Sequence, residues 1–533
     1  MYVHTPTQSL ILKVKDPFAV RELIPHSKTL DNFTDGHNLA VKWTLDSARL
    51  LRNIGIAAPS PIVSFYDWPG RYKPLPQQIE MASFTTLNPR GFNLSEQGTG
   101  KTYATLWAID YLMNVGEVKR ALVMCPLSST TLTWAQDCFS ILPHRVCSVI
   151  HGTAKRRMEN LTRPIDIYIL NHDGIVIEDV AREIRRRKDI NMIVVDEASF
   201  YRNAGIDKHR FLTWCSENKL RVILMTGTPC PNAPTDAWAL AQLVNPALAP
   251  MSFSAFQRET MYQSGTRWVP RLGSEAEAFK IMQPAIRFMK KDCLELPPVM
   301  GPRAIKTSLS AEQEDAFELM KEEMILFAKD NQINAVNGAD KINKMRQIMC
   351  GAVKDPDTEE YHLLDCTPRI RDLRTLISQA SAKVLVIAPF KGILRVLAEA
   401  LPKPDKVTGL PGYSCETLNG DDTAKQRVDK VTRFKTQPDP RVLICHPRVM
   451  SHGLNLTEAD TTIFYAPIYS NDEYLQVIER FNRLGQKHTM HLLRMVAGAF
   501  EAAIYRKVDE RGTLQNNILD LYQSVINRKD DHL

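Results

Sequence analysis

Two stretches of the chain share one rhythm. Short runs of Val, Ile and Leu with no polar face alternate with longer segments of helical apolar spacing. The first stretch holds GFNLS, RALVMCP, HRVCSVI, IDIYIL, INMIVVD and RVILMTG; the second holds KVLVIAP, SCETLN, RVLICHP, TTIFYAP and HLLRMVA. A strand that is apolar on both faces is buried on both, as in a parallel sheet between two helical layers. The pattern predicts the α/β class, with two parallel-sheet domains in tandem over residues 71–295 and 376–533. Residues 296–375 read as a mainly helical insertion, opening with SAEQEDAFELMKEEMILFAKD after the proline-rich break LPPVMGP. Residues 1–70 depart from the rhythm and read as a small accessory element. There TLDSARLLRNIG is a capped helix ending at Gly55, and APSPIVSFYDWPG is a loop with an edge strand.

Composition narrows the picture only a little. A length of 533 residues suits two to four domains, and a formal net charge of +7 is compatible with a polyanionic partner without requiring one. The ten cysteines form no CxxC pair, which fits reduced thiols and a cytoplasmic setting. The N-terminus lacks the layout of a signal peptide, and the longest uncharged run, 237–257, is broken by Pro246 and Pro250, so no membrane span is expected.

Chemistry enters at SEQGTGKT, residues 95–102, set between a strand run and a helical stripe. Gly98 and Gly100, with Thr99 between them, let backbone N–H groups turn around phosphates, and the helix N-terminus adds its positive end. Lys101 then reaches the β- and γ-phosphates of ATP and the Thr102 hydroxyl holds Mg²⁺. The second element is INMIVVDEAS, whose carboxylates lie at the C-terminal edge of a buried strand, where open α/β sheets bind ligands. Asp196 is expected to hold Mg²⁺ through water, and Glu197 to orient and deprotonate the attacking water. The third is QVIERFNRLGQ, in which Arg480 and Arg483 share a helical face. They can act as arginine fingers; taken alone, the helix reads more readily as a surface ion-pair helix with Glu479.

The order of these motifs resembles the superfamily-two helicases, and within them the Swi/Snf-type DNA translocases, over about residues 72–510. KPLPQQ is similar to the family's adenine-reading motif, ALVMCPLSSTTLTW to the strand and loop after the phosphate motif, and YILNHDGI to a further track segment. LMTGTPCPN, LNGDDTAKQRVDKVTRF, SHGLNLTEAD and RFMKKDCLELPP also match family segments, and Gln486 in LGQ favours the Swi/Snf branch. The resemblance implies two RecA-like lobes with ATP and Mg²⁺ in a cleft between them, Gln78 on the base, and Gln476 among the nucleotide contacts. It places nucleic-acid contacts at Ser128, Ser129, Thr130, His172, Thr228, Lys391 and Ser451. It places coupling between ATP and track at Thr226, Thr228, Gly453 and Asn455. The implied activity is a DNA-dependent ATPase that translocates on duplex or branched DNA, RNA being the less favoured track; a strand-separating helicase and an ATP-gated clamp are the alternatives. Three departures stand out: Ser95 opens the phosphate motif where a glycine is usual, Ser199 replaces the histidine of the DEAH box, and Ser451 and His452 occupy glycine positions. The run REIRRRKD, 182–189, reads as a solvated helix face more readily than as a phosphate patch, and Trp134 as packing under its loop more readily than as a base platform.

Overall fold

Aliphatic runs without a polar face sit, in the computed structural model, between layers of helices. The structure describes all residues except 25–26, 31–37, 231–232, 250–251, 266, 294–295, 330–334, 356–357, 359, 451–453, 455, 484–485 and 511–533. The chain divides into two compact units, the first spanning Met1–Cys293 and the second starting at Leu294.

Among the described residues, the first unit is built on a parallel sheet of seven strands. Their order is Ala285–Ile286, Arg90–Asn93, Arg221–Met225, Ile190–Asp196, Arg120–Cys125, Ile167–Asn171, Cys147–Ile150. Alternate residues feed two cores. Leu122, Met124, Ile193, Val195, Val222 and Leu224 face one; Ala121, Val123, Met192, Val194, Ile223 and Met225 face the other. Each buried aliphatic side chain contributes roughly 1.5–3 kcal/mol, so these strands tolerate no polar face. The short first strand was not legible: its two residues are strand because Phe92 N–H and Leu94 N–H donate to the carbonyls of Pro284 and Ile286.

The accessory element adds to the second of these cores through Leu10, Val41, Trp43, Leu51 and Ile62. It is a four-stranded antiparallel sheet, ordered Tyr2–His4, Ser9–Leu12, Leu39–Lys42, Ser27–Thr29. The helix Leu45–Asn53 follows, capped by Thr44 through a reciprocal box with Ser47, and Gly55 lies beyond its end at φ +87°. The expected edge strand in APSPIVSFYDWPG is absent: Ile62–Phe65 is a single helical turn launched by Pro61, whose fixed φ suits a helix start. Trp43 and Trp107 indole N–H groups donate to the Pro59 and Pro69 carbonyls at 2.8 and 3.0 Å. Arg49 pairs with Glu117, which also receives the buried Arg221.

Among the described residues, the second unit carries a six-stranded parallel sheet. The order is Val299–Lys306, Met490–Val496, Ala459–Phe464, Lys383–Ile387, Val442–Cys445, Cys415–Leu418. Between its first two strands in chain order lie the helices Ala311–Lys329 and Ala335–Cys350 and the hairpin Ala352–Lys354/Tyr361–Leu363. Val299–Lys306 is the addition the sequence did not predict. It contains Pro302, shifts register between Met300 and Arg303, and exposes most of its side chains, as an edge strand can. A buried ion pair, Arg369–Glu501 at 3.0 Å, is completed by the Tyr465 and Met349 carbonyls. Among the described residues no helix is long and apolar enough to cross a membrane.

Candidate active site

The strand Arg90–Asn93 runs into the glycine-rich loop, and the helix Lys101–Asn114 starts directly from it. Gly98 (φ +87°) and Gly100 (φ +93°) both take the left-handed conformation that glycine adopts without strain. A Cβ at Gly100 would stand 2.1 Å from Gln78 Nε2, so Gln78 lies against the loop while its Oε1 accepts the Leu75 N–H at 2.8 Å. Lys101 is nearly buried and donates to the Ser95 carbonyl at 2.5 Å. Thr99 Oγ1 donates to the Glu96 carbonyl at 2.8 Å, holding the turn. Thr102 is the second residue of the helix.

The loop is also bound to the segment that leads out of the unit. Phe288 N–H donates to Ser95 Oγ at 3.1 Å, Lys290 N–H to Glu96 Oε2 at 2.8 Å, and Arg287 Nη1 to the Leu94 carbonyl at 3.0 Å. Ser95, the departure from the usual glycine, thus uses its hydroxyl to fasten the loop.

Asp196 ends its strand opposite Met225, the last residue of the neighbouring strand. Its Oδ1 accepts the Glu197 N–H at 3.1 Å and its Oδ2 the Trp134 indole N–H at 2.9 Å. Glu197 has φ +56°, an uncommon conformation for a residue with a side chain. Its Oε1 accepts from Thr226 Oγ1 at 2.8 Å and Ser199 Oγ at 2.9 Å, and its Oε2 from Gln97 Nε2 at 3.3 Å. Thr226 Oγ1 in turn accepts the Thr228 N–H at 3.0 Å. One carboxylate is thus tied to the DEAS turn, the TGTP turn and the phosphate loop together. Ser199, the departure from the DEAH histidine, contacts the carboxylate directly. Neither it nor Trp134 is assigned to the site by spacing, because both contacts depend on the fold.

The nucleic-acid candidates separate. The Ser129, Thr130 and Thr228 side chains are buried; Thr130 Oγ1 donates to the Leu127 carbonyl at 2.6 Å. His172 is enclosed as well. Its ring is 3% exposed, meets the Tyr201 hydroxyl at 3.0 Å and stacks on Phe200, and burial lowers its pKa to about 3. A neutral, enclosed imidazole offers nothing to a phosphate in this conformation. Lys391 is exposed at the start of its helix and pairs with Asp421 at 2.5 Å. The Ser128 side chain and residues Ser451, Gly453 and Asn455 lie outside what the structure describes. The arginines of 182–187 form ion pairs with Glu178, Asp179, Glu183 and Asp189 or, for Arg185, lie over the Phe211 and Trp214 rings.

In the second unit, Ser470 caps the helix Asn471–Phe481, on which Gln476 and Arg480 are buried. Arg480 Nε donates to the Met450 carbonyl at 2.6 Å and Arg483 Nη1 to the Leu454 carbonyl at 3.3 Å. Both arginines therefore hold the two ends of the stretch containing Ser451 and Gly453, and Arg480 is no surface ion-pair residue. Gln486 fixes the turn that follows through the Ala459 and Phe481 carbonyls.

The donor set suits Mg²⁺, a cation that keeps several waters and takes one or two carboxylates plus substrate phosphates. Among the described residues no group of three or more His, Cys, Asp or Glu side chains could hold a metal by itself. One carboxylate, Asp196, near a lysine–threonine phosphate loop is the arrangement such a shared site needs.

The SNF2-related domain matches residues 81–354, and the helicase conserved C-terminal domain matches 368–485. The chain belongs to the SNF2-related family. This SNF2-related protein is a nucleic-acid-dependent ATPase of superfamily two. It is 24% identical over 465 residues to putative protein p41 of Acyrthosiphon pisum secondary endosymbiont phage 1, covering 81% of this chain and 94% of that one. It is 24% identical over 444 residues to the chromodomain-helicase-DNA-binding protein 1-like of Mus musculus, covering 80% of this chain but 47% of the mouse protein. Among solved structures, the Sulfolobus solfataricus SWI2/SNF2 ATPase core in complex with dsDNA is 19% identical. The match covers 85% of this chain and 94% of that one at a TM-score of 0.39.

Proposed function

We propose that this SNF2-related protein couples ATP hydrolysis to translocation along duplex DNA, remodelling DNA or nucleoprotein structures as it moves. The observation that carries the hydrolytic part is the Glu197 carboxylate, oriented by Thr226, Ser199 and Gln97 beside a phosphate loop. A site that merely binds nucleotide has no use for a carboxylate fixed from three sides.

In this reading Gln78 meets the base, and the N–H groups around Gly98, Thr99 and Gly100 meet the phosphates. Lys101 exchanges the Ser95 carbonyl for phosphate oxygens. Thr102 and Asp196 would hold Mg²⁺, which when bound would neutralise charge on the substrate phosphates. Glu197 orients the attacking water and accepts its proton, its geometry set in advance so that no reorganisation is needed during the reaction. Arg480 and Arg483 supply positive charge to the departing phosphate, with Gln476 beside them. The step to motion uses Thr226, which touches Glu197, and Thr228, which touches Thr226. A change in the γ-phosphate is thereby passed to the TGTP turn. Track contacts go to backbone phosphates, since a motor indifferent to sequence cannot depend on base edges.

The test is a substrate panel. ATP turnover is measured with duplex DNA, single-stranded DNA and RNA, and displacement of a triplex-forming third strand reports movement on duplex. Duplex DNA is expected to stimulate most and the third strand to leave only with ATP. Lys101→Ala should abolish both while keeping nucleotide-free DNA affinity. Equal stimulation by RNA, or strand separation without triplex displacement, would replace this reading with that of a helicase. Stimulation without either movement would make the protein a clamp.

A further inference from the structure

The segment after the strand Arg120–Cys125 is irregular in a specific way. Leu127–Ser129 forms a short helical turn, Thr130–Ala135 widens into a π-helix, and Gln136–Ile141 returns to α geometry. A π-turn is rare, occurs mostly as a single widened turn inside a helix, is frequent at functional sites, and turns the side chains it carries to new directions. The side chain here is Trp134. Its indole is fully buried, and Nε1–H donates to Asp196 Oδ2 at 2.9 Å, across 62 positions of sequence. Packing alone would be served by Phe or Leu. A buried indole N–H must have an acceptor, and this one has a carboxylate, giving a charge-assisted bond. The opposite oxygen is held by the Glu197 N–H, so both edges of Asp196 are constrained.

We propose that Trp134 is a positioning residue for Asp196, and that its π-helix makes the orientation of this carboxylate depend on the state of the segment Leu127–Ala135. The proposal rests on the reading above, in which Asp196 serves Mg²⁺, and on the resemblance that places nucleic-acid contacts at Ser128, Ser129 and Thr130; the Ser129 and Thr130 side chains are buried in this conformation, so DNA has to draw on the segment to reach them. Duplex DNA drawing on the segment moves the indole, and the indole resets the carboxylate. Stimulation of turnover by nucleic acid then runs through one N–H···O bond within the first unit, without any new residue entering the site.

The test uses Trp134→Phe in the full chain, which keeps a large ring and removes the N–H. Binding of a fluorescent, non-hydrolysable ATP analogue is followed through a Mg²⁺ titration and in EDTA, each with and without a plain DNA duplex. In EDTA the variant should match the wild type. Its Mg²⁺ midpoint should rise roughly tenfold, the factor for losing one hydrogen bond to a charged group, and the shift of that midpoint on adding duplex should vanish. A variant with the wild-type midpoint and the wild-type DNA shift overturns the proposal, as does equal weakening in EDTA and in Mg²⁺, which marks general loosening. If the variant does not fold, hydrogen exchange on the wild type decides. Amides of residues 127–135 should change protection when Mg²⁺ is added to the nucleotide-bound protein, and no change overturns the idea. Wild-type protein with no Mg²⁺-dependent nucleotide binding at all sinks the ATPase reading itself, a separate outcome.

Discussion

Replacing Gly100 with alanine puts a methyl group where the loop has no room. The residue sits at φ +93°, where an L-residue costs about 1–2 kcal/mol. The new Cβ would stand 2.1 Å from Gln78 Nε2, 2.9 Å from its Cδ and 3.0 Å from its Cγ. Gln78 therefore has to leave, and its departure breaks the 2.8 Å bond from the Leu75 N–H that caps the helix Pro76–Leu87. That bond is worth about 1 kcal/mol, so the total is about 2–3 kcal/mol. In a unit of this size about 2 °C accompanies each kcal/mol, giving a fall in Tm of about 5 °C. Thermal unfolding and titration with a fluorescent ATP analogue measure the two consequences, since expelling Gln78 also strips the base of its proposed contact. The decisive comparison is Gly100→Ala made in a Gln78→Ala background. With no glutamine to displace, the substitution should cost only the backbone strain, about 1 kcal/mol less than in the wild type. Costs that simply add, or a Gly100→Ala protein with unchanged Tm and nucleotide affinity, would refute the argument that these two residues occupy one space.

Two further predictions concern other regions. Arg483→Ala should lower ATP turnover by about 10³-fold or more, the range for an arginine finger, while ATP affinity changes little; equal losses in both, from single-turnover and binding measurements, would remove the finger role. His172 predicts a pH dependence. Burial keeps its folded pKa near 3 against an ordinary 6.5, so between those values the unfolded chain binds the extra proton. Stability contributed by the neutral ring is complete above pH 6.5 and falls by about 1.4 kcal/mol per pH unit below it. Urea unfolding at pH 7 and pH 5 should show His172→Gln losing about 2 kcal/mol less than wild type over that interval, and identical losses would contradict the burial argument.

What the sequence conveyed follows from which forces act locally. Runs such as INMIVVD and KVLVIAP identify strands because both faces are apolar, and the fold adds nothing to that signal. Val299–Lys306 escaped because an edge strand with Pro302, Arg303 and Lys306 has no such run; its partner Met490–Val496 makes it a strand. The turn at Ile62–Phe65 was misread because Val, Ile and Phe favour strands while the preceding proline decided for helix. At the site, glycine spacing announced the phosphate loop and the resemblance placed coupling at Thr226 and Thr228, but the bond from Thr226 to Glu197 came from the fold. Trp134, Ser199 and the left-handed Glu197 were invisible as partners, since no local pattern encodes a contact between residues brought together by sheet order. The burial of His172 was equally hidden: a motif position says which segment it belongs to, not how deeply its ring is enclosed.

The pairing of Val299–Lys306 with Met490–Val496 sets a constraint on biosynthesis. The opening strand of the second unit emerges from the ribosome long before its neighbour exists, and waits unpaired while nearly the whole unit is translated. A nascent chain halted just short of Met490 would present Ala459–Phe464 as a bare edge of unpaired N–H and C=O groups, ready to zip onto another edge nearby. Completion of Met490–Val496 is therefore the event that protects this protein from its own incomplete copies.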